Sequence, residues 1–534
     1  MDLNNFSLLY PSAEAKHAHL RGENRPHIDA FVLDELGLSE MIPLKNSELT
    51  EYFTTDPEVI GYRLEVFADM LEHPSIASTL QSLLPILGDI LELRRLEADS
   101  GNVDSYLSSM TEIELYISCI DCLQDGFSLL KGKLRSRAYQ TFAARIEELA
   151  ESEYYKELNL KLSELTERVR EIRSVTIGVN LDAQLRPTEA GVLSINPEPF
   201  RSGDVIEKIL RLNFKDDAYT CIASLVPFGK KHNENQKTAL SLAFHSAIGE
   251  VYKSSLHSWK KIVRSYVLDN TDCLLNLLGE IEFVVKGTAA LGRLKEKGCP
   301  LCLPDLRPME ECAFDAKALY NPSVALKIEE AVVDNDLSFD DNARIYVLTG
   351  PNRGGKSVIT CALGLAQAML QLGMFLPAER ASISPVDAIC THFPTGAEDT
   401  IDKGRLGEEC ARLDEILTLI SAHSLVLLDE SLSSTGSFEA SYIAAEVLGG
   451  LSVIGCRALF STHLHELAAE IDSINLRAAA DGGKPIDTLV AGMEEGRRSF
   501  KILRQKPDGK SYARDIANRY GLSYETILKK QKEN

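Results

Sequence analysis

The octapeptide Gly350-Pro351-Asn352-Arg353-Gly354-Gly355-Lys356-Ser357 has the spacing G-x-x-x-x-G-K-S, at which a backbone loop can wrap the phosphates of a nucleotide. Glycines at these positions let main-chain N–H groups converge on an anion, and a helix that begins at the loop adds its dipole to the attraction. In that geometry Lys356 reaches the β- and γ-phosphates, the Ser357 hydroxyl ligates Mg²⁺, and Val358 closes the contact segment. The cofactors expected are therefore ATP and Mg²⁺. Further along, the apolar run Leu425-Val426-Leu427-Leu428 ends in Asp429-Glu430. Asp429 fits a Walker B carboxylate that holds the metal. Glu430 fits a general base on the attacking water, a role worth about 10²- to 10⁴-fold in rate. A third apolar run, Ala458-Leu459-Phe460-Ser461-Thr462, ends at His463, placed to contact the γ-phosphate or that water. The chemistry these residues could do together is ATP hydrolysis, with Lys356, Glu430 and His463 as catalytic residues and Ser357 and Asp429 as metal ligands.

Such residues need a parallel sheet to hold them. Ile345-Tyr346-Val347-Leu348 reads as a buried strand entering the loop, and Val358 to Leu372 as an apolar helix leaving it. From the breaker-rich Gly298-Cys299-Pro300-Leu301-Cys302-Leu303-Pro304 and Pro308 onward, apolar strands alternate with helical patterns, the signature of an α/β domain spanning 308–534. Upstream the texture is helical. Asp56-Pro57 is a helix start, followed by Ile60, Leu64, Phe67 and Leu71 at helical spacing until His73-Pro74. Leu158, Leu162, Leu165, Val169 and Ile172 form a narrow seam, and Ile248, Tyr252, Ser255, Trp259, Val263 and Tyr266 form a second. Between them, short β-like runs such as Ser174–Val179 and Gly191–Ile195 predict a small insert at the tips of two long helices. The expected domains are 1–174 (core and first lever helices), 175–236 (β-containing insert), 237–307 (second lever helices) and 308–534.

At 534 residues the chain is too long for one core. A hydrophobic content of 44% with 25% charged residues excludes disordered and fibrous classes. No apolar run reads as long enough to span a bilayer, and the first residues lack the basic and apolar regions of a leader. The expected compartment is the cytoplasm, where the 11 cysteines stay reduced. A net charge of −22 opposes nucleic-acid binding unless it is local. Phe228-Gly229-Lys230-Lys231-His232 is one locally basic stretch, either a solvated loop or a phosphate contact. Cys119/Cys122 and Cys299/Cys302 are C-x-x-C pairs with enough thiols for tetrahedral zinc. The first pair lies in a helical stretch where residues three apart share a buried face, so cysteine as a small hydrophobe is the favoured reading. His463, His465 and Glu466 also resemble a metal cluster, a reading that is set aside.

The segment Thr349–Ser357, with its Pro-Asn pair and double glycine, resembles the phosphate loop of the DNA mismatch-repair MutS family. Asp429-Glu430 with Ser434-Thr435-Gly436-Ser437-Phe438-Glu439 resembles that family's Walker B and dimer-contacting loop, and Ser461–Leu467 its switch-histidine segment. Val333-Asp334-Asn335-Asp336-Leu337 is similar to the segment against the adenine, which adds Asn335 and Asp336 to the expected nucleotide contacts. Lys510-Ser511-Tyr512-Ala513, Ile516-Ala517 and Gly521-Leu522 resemble the closing helices, and the helix, β-insert, helix order looks like the lever and clamp domains. The resemblance implies a multidomain fold: an α-helical core and lever region with a small β clamp, joined to a C-terminal P-loop NTPase domain of ABC-ATPase type. It implies an ATPase that pairs with a second copy and changes shape on duplex or branched DNA. Mismatch readers of this family carry an N-terminal wedge domain with a Phe-x-Glu motif and a connector; this sequence begins at the core and lever region, so direct mismatch reading is not expected. The sequence also ends at Asn534, and a C-terminal dimerisation extension is not expected. Gly404 stands where the family's signature Ser reaches the partner's γ-phosphate, leaving Arg405 as an arginine finger or a surface ion pair. The alternative function is an ATP-switched protein that acts on a protein partner without DNA.

Overall fold

The computed structural model describes residues 6–99, 106–170, 174–184, 187–196, 226–227, 271–351, 353–394, 405–494, 497–507, 520 and 522–533. Asn352, Phe228–His232, the seam from Ile248 to Tyr266, Gly404, Lys510–Ala513, Ile516-Ala517 and Gly521 lie outside the described residues. The chain forms two compact units. One contains Met1–Ser7, Pro74–Arg135 and Tyr139–Glu282; the other contains Leu8–His73, Ser136–Ala138 and Phe283–Asn534.

In the first unit the helices Pro74–Asp99 and Tyr106–Ser128 pack side by side. They approach so closely that a Cβ on Gly126 would lie 2.2 Å from Thr79 Oγ1, which is why a residue without a side chain stands there. Arg94 donates to the Glu112 carboxylate from both Nε (3.0 Å) and Nη2 (2.6 Å), and also pairs with Asp272. The first seam, apart from Ile172, which lies outside the described residues, falls on the helix Glu153–Arg170, with Leu158 and Leu162 buried. The β-like runs form an antiparallel pair, β1 (Ser174–Leu181) and β2 (Pro187–Asn196), with β3 (Val226–Pro227) against β2.

The second unit holds two sheets. Its strands are β4 (Asp305–Leu306), β5 (Phe314–Leu319), β6 (Asn335–Phe339), β7 (Ile345–Thr349), β8 (Arg380–Ile383), β9 (Ile389–His392), β10 (Leu425–Asp429), β11 (Arg457–Ser461), β12 (Ile486–Glu494) and β13 (Arg497–Arg504). The larger sheet runs β13-β12-β7-β11-β10-β9, all parallel except β13. All residues of β7, β10 and β11 are buried, because helices cover both faces; this explains their unbroken apolar runs. One face, with Val347, Leu428 and Phe460, packs on the helices Ser437–Ile454 and His465–Ala479. The smaller sheet, β4-β8-β5-β6, is largely antiparallel, which the sequence pattern did not indicate.

The segment from Leu8 to His73 belongs to this unit. The main chain at His27 pairs beside β9, donating to Asp387 O (2.7 Å) and accepting from Ile389 N (3.1 Å). Leu36, at the end of the helix Ala30–Leu36, reaches the helix Lys356–Gln371 where Gly364 leaves room; a Cβ on Gly364 would lie 2.5 Å from a Leu36 methyl and 2.7 Å from a Leu427 methyl. The helix Pro57–Glu72 starts where expected, with Asp56 accepting from the amides of Glu58 (2.9 Å) and Val59 (3.4 Å).

Two helices, Pro74–Arg95 and Ser437–Ile454, are long and apolar enough to cross a bilayer by length and composition, which corrects the reading that no segment is. In the second, Ala440, Ala444, Leu448 and Leu451 are buried in the core beneath the larger sheet. Its apolar character therefore has a packing explanation.

Candidate functional site

The loop 350–357 lies between β7 and the helix Lys356–Gln371, at the carboxyl ends of the parallel strands. Its backbone takes conformations that suit glycine: Gly350 has φ 140° and Gly355, the helix N-cap, has φ 94°. The loop rests on β12, and a Cβ on Gly350 would meet the Ala491 Cβ at 2.7 Å. Lys356 begins the helix and is buried; its ammonium donates to the carbonyls of Gly350 (3.2 Å) and Pro351 (3.4 Å). Burial lowers its pKa below the ordinary lysine value, and the Glu430 and Asp429 carboxylates act in the opposite direction. A cation held by main-chain carbonyls at the centre of a loop is suited to exchange them for phosphate oxygens.

The strand order sets the two acids across from the loop. β11 separates β7 from β10, and its residue Ser461 donates its hydroxyl to the Asp429 carboxylate, while its carbonyl accepts from Glu430 N (2.8 Å). Thr462 N in turn donates to Leu348 O (2.9 Å), tying the tips of β7 and β11 together. His463 follows, with its side chain exposed.

A cavity of about 470 Å³ opens beside the loop. Of the expected site residues, Asn335, Arg353, Gly355, Lys356, Ser357, Val358 and Glu430 line it; Gly350, Pro351, Gly354, Asp336, Asp429 and His463 do not. Asn335 is committed to the edge strand, donating to Phe500 O (3.2 Å) and accepting from Ile502 N (2.7 Å). Strand alternation turns Asp336 to the other face, where it accepts from Ala318 N (2.8 Å). The rest of the wall is mostly apolar, with Tyr320, Val324, Ile328, Val332 and Phe500, and also carries Asn321 and Glu330. None of these entered the sequence reading. Val332 was within reach of it, standing beside the Val333–Leu337 segment, but Phe500 carries no motif and reaches the loop only through sheet pairing. Its ring lies against the last glycine of the loop, 3.5 Å from where a Gly355 Cβ would be. Among the described residues no group of three or more His, Cys, Asp or Glu is placed to hold a metal ion. Cys119 is fully buried in its helix, its thiol pushed up to about 12 by burial.

Residues 346–521 match the sequence model of MutS domain V, and residues 55–277 match that of the MutS2 N-terminal domain. The chain belongs to the MutS family. Among its MutS relatives, the DNA mismatch repair protein MutS of Chlorobium phaeovibrioides is 35% identical over 248 residues, 45% of this chain and 27% of the relative. That of Symbiobacterium thermophilum is 38% identical over 217 residues, 39% and 24% of the two chains, and that of Prochlorococcus marinus strain MIT 9301 is 36% identical over 170 residues, 32% and 19%. The matches therefore span 19% to 27% of the length of these MutS proteins. The N-terminal match falls where the sequence offered only a MutS-like order of elements, and it points to the MutS2 form of that region.

Proposed function

We propose that this chain binds ATP and Mg²⁺ at the loop 350–357, hydrolyses the nucleotide, and uses the cycle to change conformation on DNA, in the mismatch-repair setting for which its relatives are named. The observation that carries this reading is the buried Lys356 ammonium at the centre of a glycine loop, opening onto a 470 Å³ cavity with Glu430 on its rim. The residues fit the ligands. Main-chain N–H groups of the loop and Lys356 would hold the phosphates, the apolar wall with Phe500 and Val332 would take the base, and Ser357 and Asp429 would hold Mg²⁺. The metal would supply positive charge to the transferring phosphoryl group. Glu430 orients the attacking water and accepts its proton, and His463 is a further polar contact at the tip of β11.

The test is ATP titration and phosphate release by the wild-type chain and by Lys356→Ala. Wild type is expected to bind and turn over ATP, and Lys356→Ala to lose affinity by about 1.5–3 kcal/mol, the worth of a hydrogen bond to a charged group. A wild type without nucleotide affinity would remove this reading.

Pairing of two copies through the ATPase faces is part of the proposal. Phe438 and Tyr442, on the helix after the Walker B loop, are 81% and 66% exposed, an apolar pair that a second copy would cover. The net charge of −22 favours a second reading, in which the ATP-driven change acts on a protein partner without DNA. Filter binding across a salt series separates the two. DNA affinity that falls steeply with salt is expected, since each phosphate neutralised releases counterions; absence of any such affinity, with or without ATP, would select the protein partner.

A further inference from the structure

The end of β9 carries a histidine that none of the motifs includes. His392 pairs with Leu428 in the parallel register of β9 and β10, and its side chain is buried. Nδ1 lies 2.8 Å from the Ser431 hydroxyl, which donates to the carbonyl of His392 at 3.0 Å. Nε2 faces the Glu409 carbonyl at 3.3 Å, and the Glu409 carboxylate accepts from Ser434. Burial, with Arg412 nearby, lowers the pKa of the ring below the ordinary histidine value, so it stays neutral near pH 7.

Ser431 follows Glu430 directly and stands between two non-glycine residues in left-handed backbone, Glu430 at φ 46° and Leu432 at φ 64°. Such a turn persists only where its surroundings hold it. On one side Glu430 N is tied to Ser461 O; on the other, Ser431 is tied to the ring and carbonyl of His392. Glu430, whose position depends on this turn, lines the cavity. We propose that His392 is a positioning residue for hydrolysis: through Ser431 it holds the 430–432 turn in the form that presents the Glu430 carboxylate to the cavity. This rests on Glu430 being the general base.

The experiment compares full-length wild type, His392→Leu, His392→Asn and Ser431→Ala, measuring affinity for a fluorescent ATP analogue and single-turnover phosphate release. His392→Leu and Ser431→Ala are expected to slow release on the order of 10- to 100-fold with affinity within about threefold of wild type, the pattern of a misplaced group rather than a lost binding site. His392→Asn, whose amide can offer a hydrogen-bonding group to Ser431 near the Nδ1 position, is expected to regain most of the rate. Unchanged release in His392→Leu and Ser431→Ala, affinity lost together with rate, or His392→Asn no better than His392→Leu would each overturn the proposal. A wild type that binds the analogue but releases no phosphate would instead overturn the base assignment of Glu430, and this inference with it.

Discussion

Glu430→Gln is expected to lower single-turnover phosphate release by about 10²- to 10⁴-fold, the range for removing a positioned general base, while ATP affinity stays near that of wild type. The substitution is close to isosteric. It keeps the side chain at the cavity rim and the Glu430 N–H on Ser461 O (2.8 Å), so the left-handed turn at φ 46° need not rearrange. What it removes is the carboxylate that would take the proton. It also removes one of the two negative charges that act on buried Lys356, and lysine then relies more on phosphate for compensation. The measurement is phosphate release with enzyme in excess, alongside a binding titration. Release equal to wild type would remove Glu430 from the chemistry and leave a nucleotide-binding scaffold or a different base.

Gly350→Ala is expected to weaken ATP binding on the order of 100-fold, from two costs that act on the same few atoms. At φ 140° an L-residue is strained, at about 1–3 kcal/mol. The new methyl also meets the Ala491 Cβ at 2.7 Å and the Ala491 amide nitrogen at 3.1 Å, and overpacking of this kind costs about 1–3 kcal/mol. Relief requires the loop to lift from β12, which carries the carbonyl that Lys356 holds out of position. Gly292→Ala, within the helix Leu278–Glu296 and with nothing within 4 Å of the new Cβ, is the control and leaves binding unchanged. A Gly350→Ala protein with wild-type affinity would mean that the loop does not need this backbone to hold phosphate.

The loop, β7 and the helix Lys356–Gln371 were legible because they are contiguous, so glycine spacing and an apolar helix pattern suffice to find them. β10 and β11 were legible for a related reason: strands buried on both faces read as unbroken apolar runs, and their last residues stand at the sheet edge where ligands bind in α/β folds. Phe500, Tyr320 and His392 were not. Each is an ordinary residue in its own segment and gains meaning only from a neighbour far away in the chain: Gly355, the cavity, and Ser431 respectively. Asp336 shows the converse. Its segment was recognisable, but a period of two along β6 sends adjacent residues to opposite faces, so that Asn335 lines the cavity and Asp336 does not.

By itself the sequence determined the phosphate-loop and acidic motifs, the strands that carry them and the membership of the MutS family, since all of these are written in local order. Tertiary structure alone decided that β11 lies between β7 and β10, which brings Ser461 to both Asp429 and Glu430. It also decided that the segment Leu8–His73 packs in the unit of the larger sheet, with Leu36 against Gly364 and His27 beside β9. The reason is physical: strand neighbours and helix contacts are chosen by burying apolar faces and satisfying edge hydrogen bonds across hundreds of residues, and no periodicity within one segment records which partner will do so.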